Sequence, residues 1–304
     1  MPRFPLGIMS TCVVPWDEQG EMMEDLFRHQ VRESVRGTKN LYVFGTACEG
    51  YAVTDRQFDR VTTVFSDEMR KCGAEPMIGV IGLSLLTIIE RIARCREAGV
   101  KLFQISLPSW GALAESEVFT FFREVCGRFR DCRFLHYNLM RTKRLVTGAE
   151  YARLAAEHPN LVATKNSTDS ITRVHDLMKQ APDLTHFLDE SGYTYASQIG
   201  ECGLLASVPV INWKFCQEFF DAGQQRDTKR MLELYQEVCD ITGGLMQSVN
   251  HASFIDGAYD KMLWKFTDRR FPLRLLPPYE YASEESFGKF VSFVEKNYPH
   301  WAGK

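Results

Sequence analysis

A lysine at the end of an apolar, strand-like run is an amine with chemical potential. In Leu161-Val162-Ala163-Thr164-Lys165-Asn166-Ser167, Lys165 follows four mostly apolar positions. Where such a strand is buried, desolvation lowers the amine's pKa and raises its neutral fraction. A neutral amine attacks a ketone to form a Schiff base, which then acts as an electron sink. A solvated lysine capping the strand is the other reading of the same position. Tyr137 lies 28 residues earlier and ends a second apolar run, 133–137. If the two strands are neighbours, ~4.8 Å apart, its phenol reaches the carbon reacting at Lys165 and can relay a proton. An ordinary core tyrosine is the alternative. His136 points the opposite way by strand alternation and reads as structural. The turn Gly45-Thr46-Ala47-Cys48-Glu49-Gly50 offers backbone N–H groups and the Thr46 hydroxyl. Such a loop can hold a carboxylate without a cation, although a plain turn has the same composition.

These residues need elements to position them. Strand patterns fall at 6–14, 41–44, 77–81, 100–105, 133–137, 161–164, 185–188 and 203–207. Helical spacing separates them at 22–35, 55–69, 85–98, 115–129, 149–157, 171–180 and 195–200. Strands that alternate with helices pair in parallel, because parallel neighbours need a crossover. Near-continuous apolar runs suit strands buried on both faces. Eight such units predict a (β/α)8 TIM barrel, whose reactive groups sit at the carboxyl ends of the strands. A doubly wound open sheet competes, but no Gly-rich dinucleotide fingerprint follows the first strand. Beyond residue 214 only helical patterns remain, at 219–223, 229–241, 253–266 and 284–298. The expected organisation is therefore a catalytic barrel over 1–214 and a C-terminal helical extension over 215–304.

Composition narrows the classes of function. The chain has 304 residues, 45% hydrophobic and 25% charged, with Lys plus Arg at 36, Asp plus Glu at 39 and a net charge of -3. That balance argues against a grip on nucleic acid through phosphates. No apolar stretch approaches the ~20 residues of a membrane span. The N-terminal Met1-Pro2-Arg3-Phe4-Pro5 lacks the pattern of a secretory signal. The nine cysteines are an odd number, and no pair has the two-residue gap of a zinc or redox motif. Most lie in apolar runs, and they read as buried, reduced thiols in a cytoplasmic protein.

Several ordered motifs resemble the dihydrodipicolinate synthase / N-acetylneuraminate lyase family of class I, Schiff-base aldolases. Thr11-Cys12-Val13-Val14-Pro15-Trp16 resembles the family's opening Thr-x-x-x-Pro-aromatic element. Gly45-Thr46-Ala47-Cys48-Glu49 stands for its Gly-Thr-Thr-Gly-Glu loop, and Leu107-Pro108-Ser109-Trp110 for the loop after strand four. Tyr137-Asn138, Lys165 with Ser167, and Gly200 with Gly203 complete the resemblance, which runs from about residue 7 to 240.

The resemblance implies that Lys165 forms an imine with pyruvate or another 2-oxo acid, with Tyr137 as acid/base and Thr46 assisting it. Backbone N–H groups at Thr46 and Ala47 would hold the substrate carboxylate. No metal or organic cofactor is implied, since the imine nitrogen supplies the electron sink. Aldol cleavage to an aldehyde and a hydratase or dehydratase reaction share that imine. The family's habit of assembly implies a homo-oligomer, a dimer or tetramer, with Phe215, Phe219 and Phe220 as contacts or as core. Ala47 and Cys48 depart from the family loop. Trp110 falls near a synthase tyrosine and, being a donor only, argues against the lysine-pathway synthase. An aromatic wall there favours a flat or apolar substrate portion. Arg141 or Arg144 would bind a distal carboxylate. Asn138, Asn166, Ser167, Asp189, Glu190, Asn212 and Trp213 would read the rest of the substrate, or serve as turns and caps. The substitutions also allow a barrel that binds a 2-oxo acid without catalysis. A phosphate-binding isomerase fits poorly, because Glu201 sits inside the only Gly-rich turn after the seventh strand.

Overall fold

A computed structural model describes residues 3–168 and 170–302. Eight parallel strands close into a barrel in sequence order: β1 (Ile8–Thr11), β2 (Asn40–Val43), β3 (Met77–Gly79), β4 (Leu102–Ile105), β5 (Arg133–Asn138), β6 (Leu161–Asn166), β7 (Thr185–Leu188) and β8 (Gly203–Leu205). β1 pairs with β8 to complete the ring. One helix follows each of the first seven: α1 (Glu24–Gly37), α2 (Asp55–Lys71), α3 (Leu85–Glu97), α4 (Glu115–Val125), α5 (Gly148–Glu157), α6 (Ile171–Gln180) and α7 (Glu190–Ile199). The expected TIM barrel is the fold observed. All six residues of β6 are buried, as a strand between two covered neighbours requires.

Local chemistry sets where the helices begin. Thr54 and Thr147 form reciprocal capping boxes with Gln57 and Glu150, each satisfying backbone donors that the first turn leaves open. Asp189 caps α7 through Gly192 N at 3.0 Å, so that helix starts five residues before the apolar spacing predicts. β2 stops at Val43 because Phe44 turns left-handed, with φ 67°, a conformation costly for a bulky side chain.

After β8 the chain forms α8 (Trp213–Gln224), α9 (Thr228–Ser248), α10 (Asp256–Thr267) and α11 (Glu284–Asn297). Their apolar faces share a core with the end of the barrel, including Leu188, Leu204, Phe219, Met231 and Phe290. Phe215 packs on Trp301 at 4.2 Å between centroids and Phe219 on Tyr193 at 5.8 Å. Both are core, as is most of their helix's apolar face. α10 reaches back across the barrel to the 45–50 turn. Glu49, held at φ 56°, accepts hydrogen bonds from Trp16 Nε1 at 2.8 Å and Leu276 N at 2.6 Å. Its carboxylate also pairs with Lys261 Nζ of α10 at 2.8 Å, both side chains being fully buried. Lys261 donates in addition to the Arg274 carbonyl. Gly257 of α10 lies so close to the turn that a Cβ there would stand 2.6 Å from Ala47 O.

Among the described residues no helix is long and apolar enough to cross a membrane. All nine cysteines are free thiols; Cys239 is exposed and Cys72 half-buried, the others buried.

Candidate active site

Residue parity on the strands decides what enters the barrel mouth. Tyr137 and Lys165 are direct partners in the β5–β6 register. Both point inward, at 4% and 3% exposure. Lys165 Nζ lies 3.7 Å from the centroid of the Tyr137 ring and 4.4 Å from that of Tyr42. Nζ also donates to Tyr42 Oη at 2.7 Å. Burial brings Lys165 down from 10.5 to about 8, although Cys48, Asp256 and Asp260 pull the other way. A far larger share of the amine is thus neutral near physiological pH than for a solvated lysine, although the ammonium still predominates. Burial raises the Tyr137 phenol, opposed by hydrogen bonds from the Thr46 and Ser167 side chains. Both phenols therefore keep their protons until a reacting group takes them.

The cavity beside this amine has a volume of about 140 Å³. At ~30 Å³ per water, that suits a ligand the size of a small keto acid. Ala47 and Ser167 line it, together with Thr11, Tyr42, Tyr137 and Lys165. The 45–50 turn is closed by Gly50 N to Gly45 O at 3.3 Å and Glu49 N to Thr46 O at 3.1 Å. Cys48, where the resembling motif has glycine, is accommodated rather than clashing. Its sulfur accepts from Gly45 N at 3.0 Å and lies 3.1 Å from Thr11 Oγ1.

The far wall is acidic. Glu190, Asp256 and Asp260 line it with Asp189. Glu190 Oε1 accepts from Ser207 N at 2.7 Å and Val208 N at 3.1 Å. Asp260 Oδ1 takes the Ser207 hydroxyl at 3.3 Å. Burial first, then neighbouring carboxylates, raises Asp260 to about 7. Glu190 is likewise raised to about 7, mainly by burial. Asp189 spends one oxygen on the α7 cap and the other on Thr168 N at 3.1 Å.

Of the residues singled out from sequence, Lys165, Tyr137, Thr46, Ala47, Ser167, Asp189 and Glu190 meet here. Asn138 does not. Alternation turns it outward with His136, where it holds Val146 N at 2.9 Å, Val146 O at 3.0 Å and Asn166 Oδ1 at 3.1 Å. His136 is buried against Tyr151 Oη at 2.6 Å and pushed down to about 3 by desolvation, in keeping with a structural role. Asn212 caps α8 through Phe215 N at 3.1 Å and holds His300 O at 3.0 Å, beyond a 3-10 turn at Val208–Ile211. Trp110 is 81% exposed and forms no part of the cavity wall, since its loop runs out over the rim. Arg141 pairs with Asp256 at 2.8 Å, at the cavity's edge. Arg144 pairs with Glu150 of α5 instead. Sequence reasoning missed Tyr42, Asp256 and Asp260. Tyr42 was legible as an inward position of β2, but the two aspartates sit on α10, in the extension. Among the described residues no group of three or more His, Cys, Asp or Glu is placed to hold a metal ion.

Comparison with known proteins agrees with this architecture. Residues 5–290 match the model of the dihydrodipicolinate synthetase family. An uncharacterized DapA-like lyase of Pyrococcus furiosus is 24% identical over 229 residues, 72% of this chain and 73% of the relative. The structure of YagE from E. coli K12, a dihydrodipicolinic acid synthase family protein solved with pyruvate, superposes with a TM-score of 0.83 at 15% identity, covering 96% of this chain and 98% of that one. N-acetylneuraminate lyase from Fusobacterium nucleatum gives 0.81 at 18% identity, over 95% and 97% of the two chains. With a family model spanning nearly its whole length, the chain belongs to the dihydrodipicolinate synthetase family.

Proposed function

We propose that this protein is an aldolase-type lyase that joins a 2-oxo acid, pyruvate or its aldol adducts, to Lys165 as a Schiff base. The observation that carries the reading is a buried amine, lowered to about 8, set between two phenols at the mouth of a closed barrel. Lys165 Nζ attacks the ketone carbon. Loss of water, with a proton supplied by Tyr137, leaves an iminium. The Tyr137 phenolate then takes the proton of the hydroxyl two carbons from the imine carbon. The carbon–carbon bond breaks, the aldehyde leaves, and the bonding pair enters the enamine. Return of the proton to carbon, then addition of water, frees pyruvate and the amine. Thr46 and Ser167 steady the phenol, and the Thr46 and Ala47 amides hold the carboxylate. The imine nitrogen is the electron sink, so this route calls for no metal or organic cofactor.

The acidic wall favours an aldehyde half that carries hydroxyl groups, as in a sugar acid. Carboxylates accept hydrogen bonds from hydroxyls and repel a second carboxylate. Arg141 is engaged by Asp256, and Trp110 stands outside the cavity, which removes the support for an aromatic substrate. A hydratase or dehydratase would use the same imine, and a panel of 2-oxo acids scored for aldehyde against water elimination separates the two. The reading also includes assembly with like chains, which light scattering tests.

The decisive experiment incubates the protein with pyruvate and borohydride and follows with peptide mass analysis. A reduced pyruvate adduct on the Lys165 peptide is the expected result. No adduct, under conditions that trap a known Schiff-base aldolase, ends the reading. Thermal stabilisation by pyruvate without an adduct would instead favour a binding protein.

A further inference from the structure

The two phenols meet the amine in different ways. Tyr137 turns the face of its ring to Lys165 Nζ, and its hydroxyl is aimed at Thr46 and Ser167. Tyr42 instead brings its oxygen to Nζ, at 2.7 Å. Its strand places it there: Tyr42 pairs with Thr11 in the β1–β2 register, and both residues line the cavity. The fold has made room for this ring. A Cβ on Gly45 would come within 2.7 Å of Tyr42 Cε2, so the turn passes this ring most easily as glycine. The Thr11 hydroxyl donates to the Tyr42 carbonyl at 3.5 Å and stands 3.1 Å from Cys48 Sγ. The Tyr42 hydroxyl thus points at the reacting nitrogen.

We propose that Tyr42 is a second catalytic phenol, which moves the proton at Lys165 Nζ during imine formation and hydrolysis. This rests on the Schiff-base reading above. Attack of the neutral amine on the ketone makes a carbon–nitrogen bond and leaves a positive nitrogen beside an oxyanion. Tyr42 Oη accepts one proton from that nitrogen while its own phenolic proton passes to the oxyanion. The product is a neutral carbinolamine, and Tyr42 ends the step as the phenol it began. The nitrogen lone pair then expels the hydroxyl, which leaves as water with the proton from Tyr137. Labour is divided: Tyr42 serves the nitrogen, whereas Tyr137 serves the departing oxygen and the carbon chemistry.

The test is Tyr42→Phe, which keeps the ring against Gly45 and removes only the hydroxyl. Pyruvate is mixed with enzyme, aliquots are quenched into borohydride over time, and adduct at Lys165 is counted. The expected result is a trapping rate reduced by roughly 10²-fold, the usual share of a positioned proton-transfer group, with the same adduct yield at long times. A purely packing role predicts a rate within about twofold of wild type, and that result overturns the proposal. If the variant does not fold, a crystal structure of the reduced wild-type adduct decides. Tyr42 Oη within ~3.2 Å of the former lysine nitrogen supports the role, and a phenol turned away from it refutes it. Failure of the Schiff-base reading is distinguishable, because it shows in the wild type as no adduct at all, and the role assigned to Tyr42 falls with it.

Discussion

Among the described residues two lysines are buried, and they keep different company. Lys261 on α10 is fully buried, and so is the Glu49 carboxylate 2.8 Å from it. Burial lowers its pKa, with the Glu49 carboxylate working against that shift. Lys165 on β6 is nearly as buried, yet no carboxylate touches it; its hydrogen-bond partner is a phenol. Burial lowers that amine as well, to about 8, and only more distant charges oppose it. The same side chain is ion-paired in one setting and, on the proposed function, a nucleophile in the other. The distance of the nearest carboxylate makes the difference.

That contrast can be broken at several points. The largest effect is expected from Lys165→Arg. A guanidinium remains protonated, so borohydride trapping should vanish and any turnover fall by at least ~10³-fold. A trappable adduct elsewhere on this variant would show that the wrong amine has been named. Next comes Lys261→Met, which strands Glu49 without its cation. Chemical denaturation should report a loss of about 3–5 kcal/mol, and adding Glu49→Gln should restore part of it. Loss of much less than that would mean that Glu49 is held by Trp16 and Leu276 N alone.

Lys165→Met should shift stability the other way. The folded-state pKa of Lys165 lies below its ordinary 10.5, so the folded protein resists the ammonium. That cost is fully present below pH 8 and disappears as pH rises from about 8 toward 10.5. At pH 7 the methionine variant should gain ~1–3 kcal/mol, read from the same denaturation curves. A destabilised Lys165→Met would mean that the hydrogen bond to Tyr42 outweighs desolvation. In the wild type, the trapping rate at subsaturating pyruvate should climb about tenfold per pH unit below 8 and flatten above it, as the neutral amine accumulates. Cys48, Asp256, Asp260 and Arg141 all face this amine and tune the midpoint. The smallest expected effect is that of Asp260→Asn. Asp260 raises the Lys165 pKa, so its removal should move that midpoint down by less than about one unit. An upward move would contradict the assigned electrostatics.

Strand parity explains much of what the sequence discloses and what it withholds. The eight-strand alternation, the pairing of Tyr137 with Lys165 and the outward turn of His136 all follow from local periodicity. Asn138 follows from it too: counting by twos from His136 places it outside, although its motif resemblance suggests contact with substrate. Tyr42 obeys the same parity, but nothing local marks it as the residue whose oxygen meets Lys165, because that contact spans 123 positions. Asp256 and Asp260 could not be read from strand ends, since they come from a helix in the C-terminal extension. Arg141 comes from the family resemblance, with Arg144 as its competitor, and its partner, Asp256, is 115 residues away.

The tie between Glu49, Lys261 and Leu276 N has a consequence for synthesis of the chain. The loop that positions Thr46 cannot settle until residues beyond 270 have left the ribosome and docked. A nascent barrel therefore carries its lysine without a finished pocket around it. On the proposed function, competence for chemistry therefore waits on the last part of the chain.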